Sequence, residues 1–218
     1  MKYKLIAFDL DETLTQEWTI EKVAKNFGFF NKFKKLNELA KIGKIKNYQI
    51  TLEVAKYFKG KRKLDVYKIC ENVHLTKGVK DVINKLKKKG LKTAIITTQF
   101  SPISEYFKDI LKIDHLICPK LLSKNGIFTG KVEFKKYFDK NCPYDPYLHA
   151  ICKRIGLIKL AKKEKISLKE CVAVGNGISD LCMFKTAGLS IGFNPTSEIK
   201  KLVDIVITDF SKIIELIN

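Results

Sequence analysis

Lys4-Leu5-Ile6-Ala7-Phe8-Asp9-Leu10-Asp11-Glu12-Thr13-Leu14 is the stretch whose reading decides the fold. Its first half is an unbroken apolar run, too short for a helix, with the pattern of a strand covered on both faces in a parallel sheet. It ends on two carboxylates. In an open α/β sheet the ligand crevice lies at the carboxyl ends of the strands, so this turn is a candidate site as well as a chain reversal.

Further along, the same strand pattern returns at Leu91 to Thr97, His115 to Cys118, Cys171 to Val174, Leu189 to Phe193 and Ile205 to Ile207, separated by helical periodicity. Val79, Val82, Ile83 and Leu86 recur at helical spacing before Gly90, and Leu181, Phe184 and Ala187 do so before Gly188, which is expected to cap that helix. Strands alternating with helices predict an α/β core with a doubly wound parallel sheet. Between the first two strands, about Gln16 to Leu75 shows no strand signal. Three apolar stripes, led by Ile20 and Val23, by Phe33 and Leu36, and by Tyr48 and Ala55, predict helices there. That block is too long for a loop and reads as a small helical cap inserted after the first strand, with residues 1–15 and 76–218 forming the core and 16–75 the cap. Its aromatic residues are expected to pack the cap. Asn125-Gly126 between apolar residues of Leu121 to Phe134 signals a hairpin.

Composition narrows the classes. The formal net charge is +19, yet Arg62 and Arg154 are the only arginines, and the lysines are spread along the chain. Bidentate recognition of phosphates and base edges favours arginine, so nucleic acid is not the expected partner despite the charge. No apolar stretch approaches the roughly 18 residues of a membrane span, and no basic region precedes the first apolar run, so a cytoplasmic protein is expected, as monomer or homodimer. The six cysteines stand at irregular spacings without a C-x-x-C pair, and most of them read as buried thiols. His74, His115 and His149 lack partners at ligand spacing, which gives a zinc site little support.

The chemistry gathers at Asp9 and Asp11. A carboxylate can attack a phosphoryl group when a cation offsets the repulsion between the two anions, and a neighbouring acid can protonate the leaving oxygen and later activate water. The alternative is that the two acids merely form a turn.

These residues resemble the first motif of the haloacid dehalogenase superfamily, a hydrophobic strand followed by D-x-D-x-T. Ala94-Ile95-Ile96-Thr97 resembles the second motif, and Lys153 in Cys152-Lys153-Arg154 stands where the third motif has its lysine. Gly175-Asn176-Gly177-Ile178-Ser179-Asp180 is similar to the family's G-D-G-x-N-D loop, with Asn176 where the family usually has aspartate. The resemblance implies a phosphatase in which Asp9 is the nucleophile and Asp11 the acid and base. It further implies that Thr97, Thr98 and Lys153 bind phosphate, and that Mg²⁺ is held by Asp9, the carbonyl of Asp11, Asn176 and Asp180. Losing one ligand charge at Asn176 should weaken the metal.

The resemblance is strongest to the phosphoserine phosphatase branch, through Thr19-Ile20, Gly43-Lys44, the Asn125-Gly126 hairpin and Gly192-Phe193-Asn194-Pro195. The cap departs from it. Trp18 aligns with that branch's substrate-binding glutamate, with Glu17 one position away; Val54 aligns with its arginine; and Thr98-Gln99 replaces two glycines. Glu17 and Trp18 are therefore the candidate substrate residues, and the expected substrate is a small phosphorylated metabolite gripped differently from phosphoserine. A second expectation, favoured by Asn176, is a non-catalytic member that binds a phosphate-containing ligand or partner.

Overall fold

A computed structural model describes residues 2–217, so the expected core limits at Met1 and Asn218 lie outside the described residues. The chain opens with β1 (Leu5–Phe8) and passes through four helices, α1 (Thr19–Asn26), α2 (Phe30–Lys41), α3 (Asn47–Tyr57) and α4 (Lys63–Cys70). It continues as α5 (Val79–Lys88), β2 (Lys92–Ile96), α6 (Ser101–Ile110), β3 (His115–Ile117) and a hairpin of β4 (Lys120–Lys124) and β5 (Ile127–Glu133). An irregular stretch then leads to α7 (Lys153–Glu164), β6 (Cys171–Gly175), α8 (Leu181–Phe184), β7 (Leu189–Phe193), α9 (Ser197–Lys200), β8 (Ile205–Ile207) and α10 (Ile213–Leu216).

Six strands form one parallel sheet in the order β3-β2-β1-β6-β7-β8. Every residue of β1, β6 and β7 is buried, as the apolar runs predict for strands covered on both faces. The direction of winding reverses at β1, which has β2 on one side and β6 on the other. That reversal opens a crevice at the strands' carboxyl ends, and Asp9 follows β1 directly into it.

Two glycines set how closely the layers approach. A Cβ on Gly156 of α7 would lie 3.0 Å from Ile96 Cγ2, so the missing side chain lets α7 settle onto β2 and β3. At Gly188 a Cβ would lie 2.1 Å from the Lys169 carbonyl oxygen. Its backbone does not take the left-handed conformation expected of a helix cap, which Gly90 does adopt at φ +80°. Gly188 is therefore a close-approach glycine, and the cap expectation is corrected.

The four helices between β1 and α5 return to where they left. Thr15 and Leu75 pair as an antiparallel bridge, flanked by hydrogen bonds from Gln16 N–H to the His74 carbonyl and from Thr76 N–H to the Leu14 carbonyl, each 2.9 Å. Phe58, fully buried, is the aromatic centre of this segment: its ring meets those of Phe27, Phe29, Phe100 and Phe128 at 5.3–5.8 Å. Phe100 precedes α6 and Phe128 lies on β5, so the cluster joins the helical segment to the sheet side and to the hairpin. The hairpin turns on Asn125 and Gly126, both at positive φ, the requirement of a tight two-residue turn. Its β5 edge binds the helical segment, with Gly60 N–H donating to the Phe128 carbonyl and Phe128 N–H to the Lys61 carbonyl at 2.9 Å.

Candidate active site

The neighbouring strands β1, β2 and β6 deliver Asp9, Thr97 and Asn176 to one crevice. Asp9 N–H donates to the Val174 carbonyl at 2.9 Å, carrying the β1–β6 ladder one residue past the strand. After it the chain coils tightly, Leu14 N–H donating to the Leu10 carbonyl at 2.9 Å, with Leu10 and Leu14 fully buried as anchors. Glu12 pays for that coil with a left-handed backbone, φ +56°, and faces the cavity.

Beneath the crevice sits Lys153, with no exposed surface. Because Gly156 lets α7 lie close to the sheet, Lys153 at its start brings Nζ to 2.6 Å from Asp9 Oδ1 and 2.5 Å from Asp180 Oδ1. The other Asp180 oxygen accepts the N–H groups of Asn176 and Gly177, both at 3.0 Å. Gly175 makes this possible, since a Cβ there would meet Asp180 Cγ at 2.4 Å.

Burial pushes the Asp9 carboxyl up to about 7; the Asp180 charge adds to this, and the charge and hydrogen bond of Lys153 oppose it. Burial likewise raises Asp11 to about 6 against the hydrogen bonds it accepts from Thr19 and Gln99. Lys153 is raised as well: burial alone would lower it, but the charges of Asp180 and Asp9 prevail and keep it protonated. Two carboxyls that exchange protons near neutrality suit acid–base work. The same shifts show that the buried acids are short of positive charge even beside Lys153. Hard oxygen donors in that state fit a divalent cation such as Mg²⁺. Asp180 would offer it Oδ1, because Oδ2 is already filled by two N–H donors.

Asp11 is tied to the helical segment. Its Oδ1 accepts from Thr19 N–H at 2.8 Å and from the Thr19 hydroxyl at 2.6 Å, and its Oδ2 accepts from Gln99 Nε2 at 3.0 Å. Gln99 Nε2 also reaches Thr19 Oγ1 at 2.7 Å.

Of the residues anticipated from sequence, Asp9, Asp11, Trp18, Thr97, Thr98 and Asn176 line one cavity of about 380 Å³, with Lys153 and Asp180 buried behind it. Val54 lines it too. Glu17 does not: its carboxylate accepts from Lys22 Nζ at 3.1 Å and from the His74 N–H at 3.1 Å. Sequence reasoning passed over Gln99, noted only as a lost glycine, and His149. The latter's Nδ1 lies 2.6 Å from Asp145 Oδ1 and its Nε2 2.8 Å from Asn47 Nδ2, on the cavity wall. The spacing Asp145-x-x-x-His149 was the available signal.

Comparison with known proteins agrees with this geometry. A model of the haloacid dehalogenase-like hydrolase family matches residues 6–185. The phosphoserine phosphatase of Methanocaldococcus jannaschii is 32% identical over 206 residues, 94% of this chain and 92% of that protein. The phosphoserine phosphatase of Archaeoglobus fulgidus is 31% identical over 201 residues, and there the match spans 92% of this chain but 55% of the relative. A solved structure described as a phospho-aspartyl intermediate analogue of phosphoserine phosphatase superposes with a TM-score of 0.79 at 32% identity, over 100% of both chains.

Asp9→Asn is expected to stabilise the metal-free protein at pH 8, to do so by clearly less at pH 5, and to leave it nearly unchanged only below about pH 4. The folded carboxyl titrates near 7 rather than at its ordinary 3.8, so the stability its neutral form contributes is lost as pH rises through that window, and an amide does not lose it. Urea unfolding in EDTA should show a gain of roughly 1–4 kcal/mol at pH 8. A variant less stable than the parent at pH 8 contradicts the charge balance described here.

Proposed function

The chain belongs to the haloacid dehalogenase-like hydrolase family and is a phosphatase within it; we propose that it hydrolyses the phosphate monoester of a small metabolite, with Mg²⁺, through an aspartyl phosphate on Asp9. The observation that carries this reading is Asp9 itself, a carboxylate at the end of the central strand, on the wall of a cavity and 2.6 Å from a buried ammonium. Attack by its oxygen on phosphorus makes the acyl-phosphate bond and breaks the ester P–O bond. Asp11 gives its proton to the departing oxygen, then takes one from the water that cleaves the acyl phosphate. Thr97, Thr98 and Lys153 hold phosphate oxygens in this scheme. Mg²⁺, held by Asp9, the Asp11 carbonyl, Asn176 and Asp180, would neutralise charge between the two anions.

In the same reading residues 16–75 act as a cap that selects substrate over a core of 1–15 and 76–218. The chemistry of the cavity wall supports a substrate other than phosphoserine. Its cap side presents Trp18, Ile20, Phe33, Ile50 and Val54 together with the uncharged polar Asn37, Asn47 and Thr51, and among the described residues no lysine or arginine lines it. An α-carboxylate would find no guanidinium or ammonium there, and the Glu17 carboxylate is taken up by Lys22 and His74. Asn176 favours the second, non-catalytic reading, because an amide at a metal position supplies oxygen without charge.

Asp9→Asn is expected to abolish Mg²⁺-dependent hydrolysis of para-nitrophenyl phosphate; turnover retained by the purified variant would overturn the covalent mechanism. Steady-state kinetics should show L-phosphoserine to be a poorer substrate than neutral alcohol or sugar phosphates, at about 1.5–3 kcal/mol for each unmet charged contact. A preference for phosphoserine removes the cavity argument. Asn176→Asp should lower the Mg²⁺ concentration for half-maximal rate by roughly three- to tenfold, since affinity for a hard cation follows ligand charge. If the variant gains neither affinity in calorimetry nor rate at saturating metal, Asn176 does not face the metal and the non-catalytic reading is the better one.

A further inference from the structure

Cys142, Cys152 and Cys182 come from three separate segments: the irregular stretch after the hairpin, the residue before α7, and α8. Their Sγ atoms all lie within 4.8 Å of one another, and all three residues are buried. We infer that this trio is a structural zinc site, distinct from the carboxylate site, which clamps the stretch between β5 and α7 onto α7, which carries Lys153, and α8, which follows Asp180 directly.

Buried thiols ordinarily serve as small apolar fillers, dispersed in the core. These three form a cluster of their own, apart from the two main cores, with partly buried Ile155 packed against it. Zinc bonded to sulfur at about 2.3 Å holds tetrahedral thiolates roughly 3.8 Å apart, so small side-chain adjustments suffice for all three to share one ion. The surroundings suit thiolate at Cys152, whereas burial raises the Cys142 thiol and the contact with Cys152 together with burial raises that of Cys182, so those two need the cation to ionise. Cys152 caps the amino end of α7, a twelve-residue helix whose dipole favours negative charge there. The Arg154 N–H already points at Cys182 Sγ, 3.4 Å away, as a donor that orients a ligand sulfur does. Three thiolates also select a soft or borderline ion over Mg²⁺.

The clamp has something to hold. The stretch from Phe134 to Cys152 contains only a single 3₁₀ turn, at Lys135–Tyr137, and irregular segments of such length are uncommon unless tied down. It nevertheless forms part of the active-site wall through His149 and Ala150. It also meets the cap, since the Tyr147 and Leu148 carbonyls accept the Asn47 and Tyr48 N–H groups at 3.0 and 2.9 Å. Cys142 fastens the middle of this stretch beside Cys152, which precedes Lys153, and Cys182, which follows Asp180 by two residues.

The test is zinc binding to full-length protein, purified under reducing conditions, stripped with chelator and reloaded with zinc alone. Elemental analysis after gel filtration should find about one zinc per chain, in Asp9→Asn as in the parent, while Cys142→Ser binds zinc at least tenfold more weakly. Zinc should raise the melting temperature of the parent and not that of Cys142→Ser, whose zinc-free melting temperature shows whether it has folded. Cobalt in place of zinc should give the parent a sulfur-to-metal charge-transfer band, a readout that needs no variant. Failure of the parent to retain zinc overturns the site. So does zinc kept by Cys142→Ser but lost by Asp9→Asn, which assigns the ion to the carboxylates. A parent mass two hydrogens light that ignores zinc also overturns it, because the sulfurs are then a disulfide.

Discussion

An ammonium without exposed surface, 2.6 Å from one carboxylate and 2.5 Å from another, is the interaction around which the rest of this molecule is arranged. Separating such a group from its partners leaves uncompensated charge in the interior, at about 3–5 kcal/mol. Lys153 therefore fixes the start of α7 against the ends of β1 and β6 as firmly as any apolar contact does. Its two aspartates arrive from opposite ends of the sequence, so the ion triad also pins together strands that are neighbours only after folding. Gly156 and Gly175 follow from it: one lets the helix come close enough for Nζ to reach, and the other leaves room for the Asp180 carboxylate to turn back.

Most of the scaffold was legible because the sheet is buried on both faces. Uninterrupted apolar runs announce such strands, and the helices between them imply parallel pairing. The carboxylate pair was legible for the same reason, since Asp9 and Asp11 stand at the abrupt end of the most apolar run. What resisted reading depends on contacts between distant segments. Glu17 looked like a cavity residue because it adjoins Trp18, but successive residues at a chain reversal face opposite sides, and Lys22 with the His74 amide claims its carboxylate. Gly188 follows a short helix in the manner of a cap, whereas its real constraint is the Lys169 carbonyl, far from it in the helical pattern. The cysteine trio was unreadable in principle: no spacing rule joins Cys142, Cys152 and Cys182, and their approach exists only because α7 and α8 pack side by side.

Charge shows a similar division between surface and site. A chain with a formal net charge of +19 places no lysine or arginine on the wall of its cavity among the described residues. Its exposed lysines pair locally with carboxylates, stack over tyrosine and phenylalanine rings, or point into solvent. The surface field can draw anions toward the molecule without deciding which are held. The cavity wall is instead made by apolar and amide side chains of the helical segment, together with His149.

The Thr15–Leu75 bridge has a consequence for how such a molecule can change over evolutionary time. Leaving and re-entering the sheet at adjacent points makes the whole helical segment, in polymer terms, one closed loop. The entropic cost of closing a loop rises only with the logarithm of its length, about 0.6 kcal/mol per doubling. Residues can thus be added to or removed from that segment with little penalty to the strands below. The carboxylates and the helical wall of the cavity above them are in this sense separately heritable, joined by two chain crossings, by the contacts of Asp11 and Gln99 with Thr19, by the Phe58 cluster, and by the backbone hydrogen bonds to Phe128, Tyr147 and Leu148.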